Sequence, residues 1–253
     1  MKSIQSLKGL TALVTGASSG IGEAASIALA CDGANVLIHY NQKHAEAESV
    51  LSKVRAFGVE AELTQADLTT IEGTKKLAQF AEGKTIDILV NNAGSLIART
   101  RVLDFTPELW EKVMMLNLTS AFFVSQAVLK GMVARKSGII VNVSSVAARF
   151  GGGVGALAYS AAKAAISTMT KGLTKEFAPF NIRVNAVSPG TVDTNYHKSF
   201  STPEGLEGVK AATPAGRLGT PEEIADTIVF LCSNQASFIH GQVIEVNGGF
   251  LMA

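Results

Sequence analysis

The sequence predicts an α/β protein in which repeated strand–helix units build a parallel sheet with helices on both faces. Three observations carry this. Short β-branched runs alternate with longer segments of helical periodicity along the chain. Several of those runs are apolar nearly throughout, as parallel strands covered on both sides must be. Helix-start signals recur between them. With 253 residues, 47% of them hydrophobic, the chain can fill one large core, and 1–253 reads as a single domain.

The strands follow in order. TALV (11–14), NVLI (35–38), ILV (88–90), GIIVNV (138–143), IRVNAV (182–187) and VIEV (243–246) are the apolar runs, and AELTQA (61–66) is a less apolar seventh. Helical periodicity covers 21–31, 44–57 and 222–231. Thr220-Pro221-Glu222-Glu223 places Thr at the N-cap, Pro at the first helical position and Glu three residues after the cap. Thr69 and Glu72 repeat that capping-box spacing, and Thr106-Pro107 opens another helix. The glycine cluster at 151–155 lies between a strand and a helix and reads as a loop.

Composition excludes several classes. The net charge of +1, with no long run of one sign, gives no field for nucleic acid. No apolar run reaches the roughly 18 residues of a membrane span. The opening MKSIQSLKGL is too short and polar for a signal peptide, so a cytoplasmic protein is expected. Cys31 and Cys232 stand in apolar helical contexts and are expected to be buried thiols in a reducing compartment. His39, His44, His197 and His240 are scattered, and none has metal-ligand spacing.

Chemistry enters at Leu13-Val14-Thr15-Gly16-Ala17-Ser18-Ser19-Gly20-Ile21-Gly22, which turns from a strand straight into a helix. Glycine lets backbone approach a ligand closely, and amides at a helix start attract phosphate. Further on, Tyr159 and Lys163 lie four residues apart, on one helix face. A nearby ammonium favours phenolate. Bringing a phenol from about 10 to near 7 requires about 4 kcal/mol of differential stabilisation.

TGASSGIG, then NNAG at 91–94, then Tyr159-x-x-x-Lys163, resembles the short-chain dehydrogenase/reductase family, and the resemblance covers almost the whole chain. It implies a Rossmann-like doubly wound parallel sheet of about seven strands. It implies hydride transfer between a nicotinamide and a carbonyl or alcohol carbon, with Tyr159 as general acid/base. Lys163 is similar to the lysine that holds the nicotinamide ribose and tunes the tyrosine. Ser145 would hydrogen-bond the substrate oxygen, with Ser144 its rival. Asn117 would anchor a water connected to the lysine.

The same resemblance assigns the cofactor residues. Gly16, Ser18, Ser19, Gly20, Ile21 and Gly22 form the pyrophosphate loop. Asp67 and Leu68 would meet the adenine, and Asn91, Ala93 and Gly94 lie near its ribose and the sheet centre. Pro189, Gly190, Val192 and Thr194 would clamp the nicotinamide amide. At the end of the second strand, Tyr40 stands where an aspartate would select NAD, and Asn41, Lys43 and Ser18 face a 2′-phosphate without repulsion. NADP(H) is therefore expected, with NAD(H) possible. Ser19 stands where many NADP-users of the family carry a basic residue.

The segment at about 193–217 is expected to be a substrate lid. Ser95, Leu96, Val146, Tyr196 and Phe200 are expected to line the pocket for a small-molecule carbonyl or alcohol. The chain resembles 3-oxoacyl-carrier-protein reductases, although Ala178-Pro179-Phe180 ends the catalytic helix without a basic residue and leaves Lys136 as a carrier contact. A homotetramer is implied, with helices at 107–135 and 156–178 in one interface and the last strand in the other. Two other readings remain: an NAD-dependent alcohol dehydrogenase of the same family, and a catalytically silent cofactor-binding sensor or scaffold.

Overall fold

The computed structural model describes residues 6–194 and 200–252. Its seven strands are β1 (Thr11–Val14), β2 (Asn35–Tyr40), β3 (Ala61–Gln65), β4 (Ile88–Asn91), β5 (Gly138–Val143), β6 (Ile182–Pro189) and β7 (Val243–Val246). They form one sheet in the order β3-β2-β1-β4-β5-β6-β7, parallel at every pairing. The order reverses between β1 and β4, and the crevice beyond the strand ends at such a point is where nucleotides bind.

Strand alternation feeds two cores. Ala12 and Val14 of β1 join one apolar cluster and Leu13 joins the other. The first cluster is closed by α1 (Gly20–Cys31), α2 (His44–Arg55) and α9 (Pro221–Cys232). The second is closed by α3 (Ile71–Glu82), α5 (Ser120–Arg135) and the end of α7 (Leu157–Phe177), which follows the one-turn α6 (Ala147–Phe150). Both faces of the sheet are thus covered, which is why its strands carry so few polar residues.

Helix starts follow the sequence with one shift. Thr220 and Glu223 form the expected capping box on α9. Thr106 caps α4 (Pro107–Met114) through the amide of Leu109. At α3 the cap is Thr70, which accepts from Gly73 N, rather than Thr69. Thr69 instead donates to the Asp67 carboxylate (2.8 Å), which captures it one residue before the cap.

Between α4 and α5 the helix passes through a π turn at Met115–Thr119. The combined segment Pro107–Arg135 runs 29 residues at mean hydropathy 1.3 in its most apolar window, long and apolar enough to cross a membrane by composition. That corrects the expectation that no segment reaches such a length. Half of the window is buried inside the protein, as expected of a core helix. Cys31 also departs from expectation. It is exposed at the end of α1, while Cys232 is buried and its thiol is pushed up to about 12 by burial.

Candidate active site

The loop after β1 is pinned from both flanking strands. On the β4 side, Thr15 Oγ1 accepts from the amides of Asn92 and Ala93 (3.0 Å each), and Asn92 Nδ2 donates to the carbonyls of Thr15 (2.8 Å) and Gly16 (3.1 Å). On the β2 side, His39 Nδ1 accepts from Gly16 N (3.0 Å) while its Nε2 lies 3.1 Å from Ala66 O. These two partners fix the tautomer: Nε2 carries the hydrogen and donates to the carbonyl. The first turn of α1 then opens with Ser19 at the cap, whose side chain makes no cap bond. Its unspent amides are the donors a pyrophosphate needs. The residues fit such a group because glycine makes room: a Cβ on Gly16 would lie 3.0 Å from Ala93 Cα.

His39 is buried, and burial lowers its pKa from the ordinary value to about 4, with the bond to Ala66 opposing. Its neutral form is therefore favoured by folding. Between pH 6.5 and about 4 the unfolded chain binds the extra proton, so stability falls as pH falls through that window. The slope is about 1.4 kcal/mol per pH unit, roughly 3 kcal/mol in all. Urea midpoints across this range should show the His39→Asn variant, which keeps a donor and an acceptor but no titration, with a flatter profile than the parent. Parallel profiles would refute the assignment.

A cavity of about 1000 Å³ runs from this loop past the first turns of α7. Tyr159, Lys163, Ser144 and Ser145 line its middle. Ser144 Oγ is committed to Lys163 O (3.0 Å) and Ser167 Oγ (2.7 Å), tying β5 to α7. Ser145 instead hydrogen-bonds the Tyr159 phenol. That geometry separates the two rivals. Lys163 is 3% exposed, donates to Val143 O (2.8 Å), and lies 5.6 Å from the Tyr159 ring centroid. Burial lowers its pKa to about 8.

The phenol departs from the sequence expectation. Its pKa is raised, because burial outweighs the opposing hydrogen bond from Ser145. The lysine does not reverse this. Its ammonium is aimed at a backbone carbonyl and is itself easily neutralised.

Asn117 sits in the π turn, 1% exposed. The extra residue per turn presents its amide to the β4–α4 loop. Its Oδ1 accepts from Ser95 N (3.0 Å), and its Nδ2 donates to Ser95 O (2.8 Å) and Val113 O (2.8 Å). It therefore clamps Ser95 directly. Gly94 is wedged beside it: a Cβ there would lie 2.7 Å from Asn117 Oδ1 and 2.9 Å from Lys163 Nζ.

Most other expected residues converge on the cavity. Gly16, Ser18, Ser19, Gly20, Ile21 and Asn41 line the loop end; Leu68, Ala93 and Gly94 follow. Pro189, Gly190, Val192 and Thr194 line it as well, as do Ser95, Leu96, Val146 and Phe200. Four expected cofactor residues are not among its lining. Gly22 packs under the loop, against Gly16 and Ala17. Tyr40 turns its hydroxyl to His44 Nδ1 (2.8 Å). Asp67 accepts from Asn41 Nδ2 (3.2 Å) and from Thr69. Asn91 is buried and donates to Ser125 Oγ and Asn142 Oδ1 (2.9 Å each) within the sheet. Tyr196 lies outside the described residues.

Sequence reasoning missed His39, Arg99, Phe150 and Phe250 as lining residues. His39 carried a signal, since it sits at a strand end facing the loop. Phe150 and Phe250 meet with ring centroids 5.8 Å apart across 100 residues of chain, which no local pattern announces.

Comparison with known proteins agrees with this geometry. A family model described as enoyl-(acyl carrier protein) reductase matches residues 16–251. The 3-oxoacyl-[acyl-carrier-protein] reductase of Aquifex aeolicus is 42% identical over 252 residues, covering 96% of this chain and 98% of its own. A structure described as an NAD(P)-dependent gluconate 5-dehydrogenase from Beutenbergia cavernae, holding NADP at low occupancy, is 37% identical with a TM-score of 0.92, over 98% and 99% of the two chains. A 7α-hydroxysteroid dehydrogenase bound to NADH and a 7-oxo steroid is 33% identical with a TM-score of 0.90, over 98% and 97%. With the seven-stranded parallel sheet and the matched loop, these relatives establish that the chain belongs to the short-chain dehydrogenase/reductase family, oxidoreductases that act on CH–OH and C=O groups.

Proposed function

We propose that this protein is an NADP(H)-dependent carbonyl reductase with Tyr159 as its general acid. The observation that carries the reading is one continuous cavity with a phosphate-type loop at one end and the Ser145–Tyr159 hydrogen bond in its middle. Nicotinamide, when bound, supplies or accepts the hydride. The chain's own residues do the rest. Ser145 holds the carbonyl oxygen, and Tyr159 Oη delivers a proton to it as negative charge builds there. Burial keeps that proton on the phenol in the resting state, which suits reduction. Lys163 would hold the ribose hydroxyls, and Asn117 fixes the loop that carries Ser95.

For the cofactor, the β2 end offers Asn41, Gln42 and Lys43 to the cavity and no carboxylate. A 2′-phosphate is accepted there, and the NADP in a close structural relative is consistent with this. Initial rates on a panel of ketones, β-keto esters and keto sugars, followed at the NADPH absorbance band, test the reading. The expected result is a kcat/KM at least tenfold higher with NADPH than with NADH. Equal or better efficiency with NADH overturns the preference, and no turnover of any carbonyl overturns the function.

Assembly belongs to the same reading. Trp110 on α4 and Phe122 and Phe123 on α5 are exposed aromatic side chains, the kind that a subunit interface covers. A cytoplasmic homotetramer is proposed, and sedimentation as a monomer would refute the assembly. The segment 200–212, with helix α8 (Pro203–Ala212), serves as the lid; Phe200, Thr202 and Leu206 face the cavity from it.

A further inference from the structure

Arg99 stands at the mouth of the cavity, on the loop that leaves β4. Its Nε donates to the carbonyl of Phe200 (3.1 Å) and its Nη1 to the carbonyl of Val154 (2.8 Å). It therefore joins the lid segment to the glycine loop. A guanidinium has five N–H donors. Two are used, and three have no partner among the described residues.

The backbone is built to present this side chain. Ile97, two residues before it, holds a left-handed φ of 61°. A β-branched residue resists that conformation, and such strain concentrates where a site needs it. Ser95 Oγ accepts from Ile97 N (3.0 Å), and Asn117 clamps Ser95 in turn. Bonds thus run from the π turn to Ile97, two residues before the arginine. Gly155 shapes the opposite wall: at its φ of +78°, a Cβ would lie 2.7 Å from Arg99 Cγ.

Charge decides what this arrangement recognises. Among the described residues lining the cavity, Lys43, Arg99 and Lys163 are cationic and none is acidic. Lys43 follows Asn41 and Gln42 at the loop end, and Lys163 is buried on Val143 O. Arg99 is left as the cation of the substrate side. We propose that Arg99 is a substrate-recognition residue for a carboxylate, so that the substrate is a small keto or hydroxy acid. Its reacting carbon meets Tyr159 while its acid group reaches the mouth. Planar, paired N–H donors favour a carboxylate over a hydroxyl. This inference rests on the oxidoreductase reading above.

The test uses D-gluconate and sorbitol, which differ by a carboxylate in place of CH2OH. Each is titrated calorimetrically into the full-length enzyme with saturating NADP+, and NADPH formation is followed in parallel. The parent is expected to bind gluconate at least tenfold more tightly than sorbitol. R99Q should remove that difference and raise the gluconate KM about 10- to 100-fold with kcat little changed, while R99K retains part of the preference. Equal binding of the two probes by the parent overturns the proposal. So does an R99Q loss that is the same for both, which is what a purely structural clip between lid and glycine loop would give. Arg99-dependent gluconate binding without any NADPH formation leaves the carboxylate site standing and sinks hydride transfer. Reduction of neutral ketones with no charge preference does the reverse.

Discussion

Replacing Tyr159 by phenylalanine is expected to lower kcat by about 10²–10⁴-fold, the range that a positioned acid/base contributes, while the dissociation constant for NADPH stays within about twofold. The substitution removes one oxygen and little else. The ring remains half-buried in the first turn of α7 and keeps its place beside Lys163. What is lost is the proton donor and the hydrogen-bond partner of Ser145. On the proposed reading Ser145 and Lys163 still orient substrate and cofactor, so a residual rate should persist. Stopped-flow rates at saturating NADPH, set against fluorescence titration of the cofactor, separate the two quantities. A variant with near-parental kcat would remove the phenol from the chemistry. It would favour a role for the cavity in binding alone.

The second large effect is expected at the phosphate loop. Gly22→Ala should weaken NADPH binding by about 100-fold, equivalent to about 2.7 kcal/mol. A Cβ on Gly22 would collide with the Gly16 carbonyl oxygen, and would lie 2.5 Å from Asn92 Nδ2 and 2.9 Å from Ala17 Cα. These neighbours are backbone, or a side chain already holding backbone, so none can swing aside. The helix start must retreat from the loop, and the amides lose their convergence. Overpacking of this kind also costs about 1–3 kcal/mol of stability. Gly172→Ala is the control, because it lies in α7 with nothing within 4 Å of its added carbon. It should leave binding unchanged and raise stability by up to about 1 kcal/mol. If both alanine variants bound NADPH like the parent, the loop would not be the phosphate site.

Much of the fold was legible because its causes are local. Continuous apolar runs such as GIIVNV and IRVNAV mark strands buried on two faces, and both appear as β5 and β6. Thr220-Pro221 with Glu223 announces α9 because cap, fixed φ and carboxylate act within one turn. Thr69 misled for an instructive reason: the cap position was contested by a carboxylate two residues back, and Asp67 won the hydroxyl. The expectation about run length failed because polar residues such as Asn117 and Ser120 interrupt the apolar run without lowering its average enough.

The candidate site was legible where motif spacing fixes geometry and obscure where distant segments meet. Tyr159 and Lys163 share a helix face by arithmetic, and the loop from Gly16 to Gly22 declares its turn by its glycines. The direction of the phenol's pKa shift was not legible. The sequence supplies a neighbouring ammonium, but only the packed structure shows that burial dominates and that the ammonium points at Val143 O. Arg99, Phe150 and Phe250 reach the cavity from segments far apart in the chain.

The sequence by itself determined the alternation of strands and helices, the glycine turn and the tyrosine–lysine pairing. Each depends on residues within a turn or two of one another. Tertiary structure alone decided which serine faces the phenol, that His39 locks the loop as a neutral ring, and that an arginine near a strained turn lines a cavity with no acidic residue among its described lining. Those outcomes depend on desolvation and on contacts between remote segments, and neither quantity exists until the chain has packed.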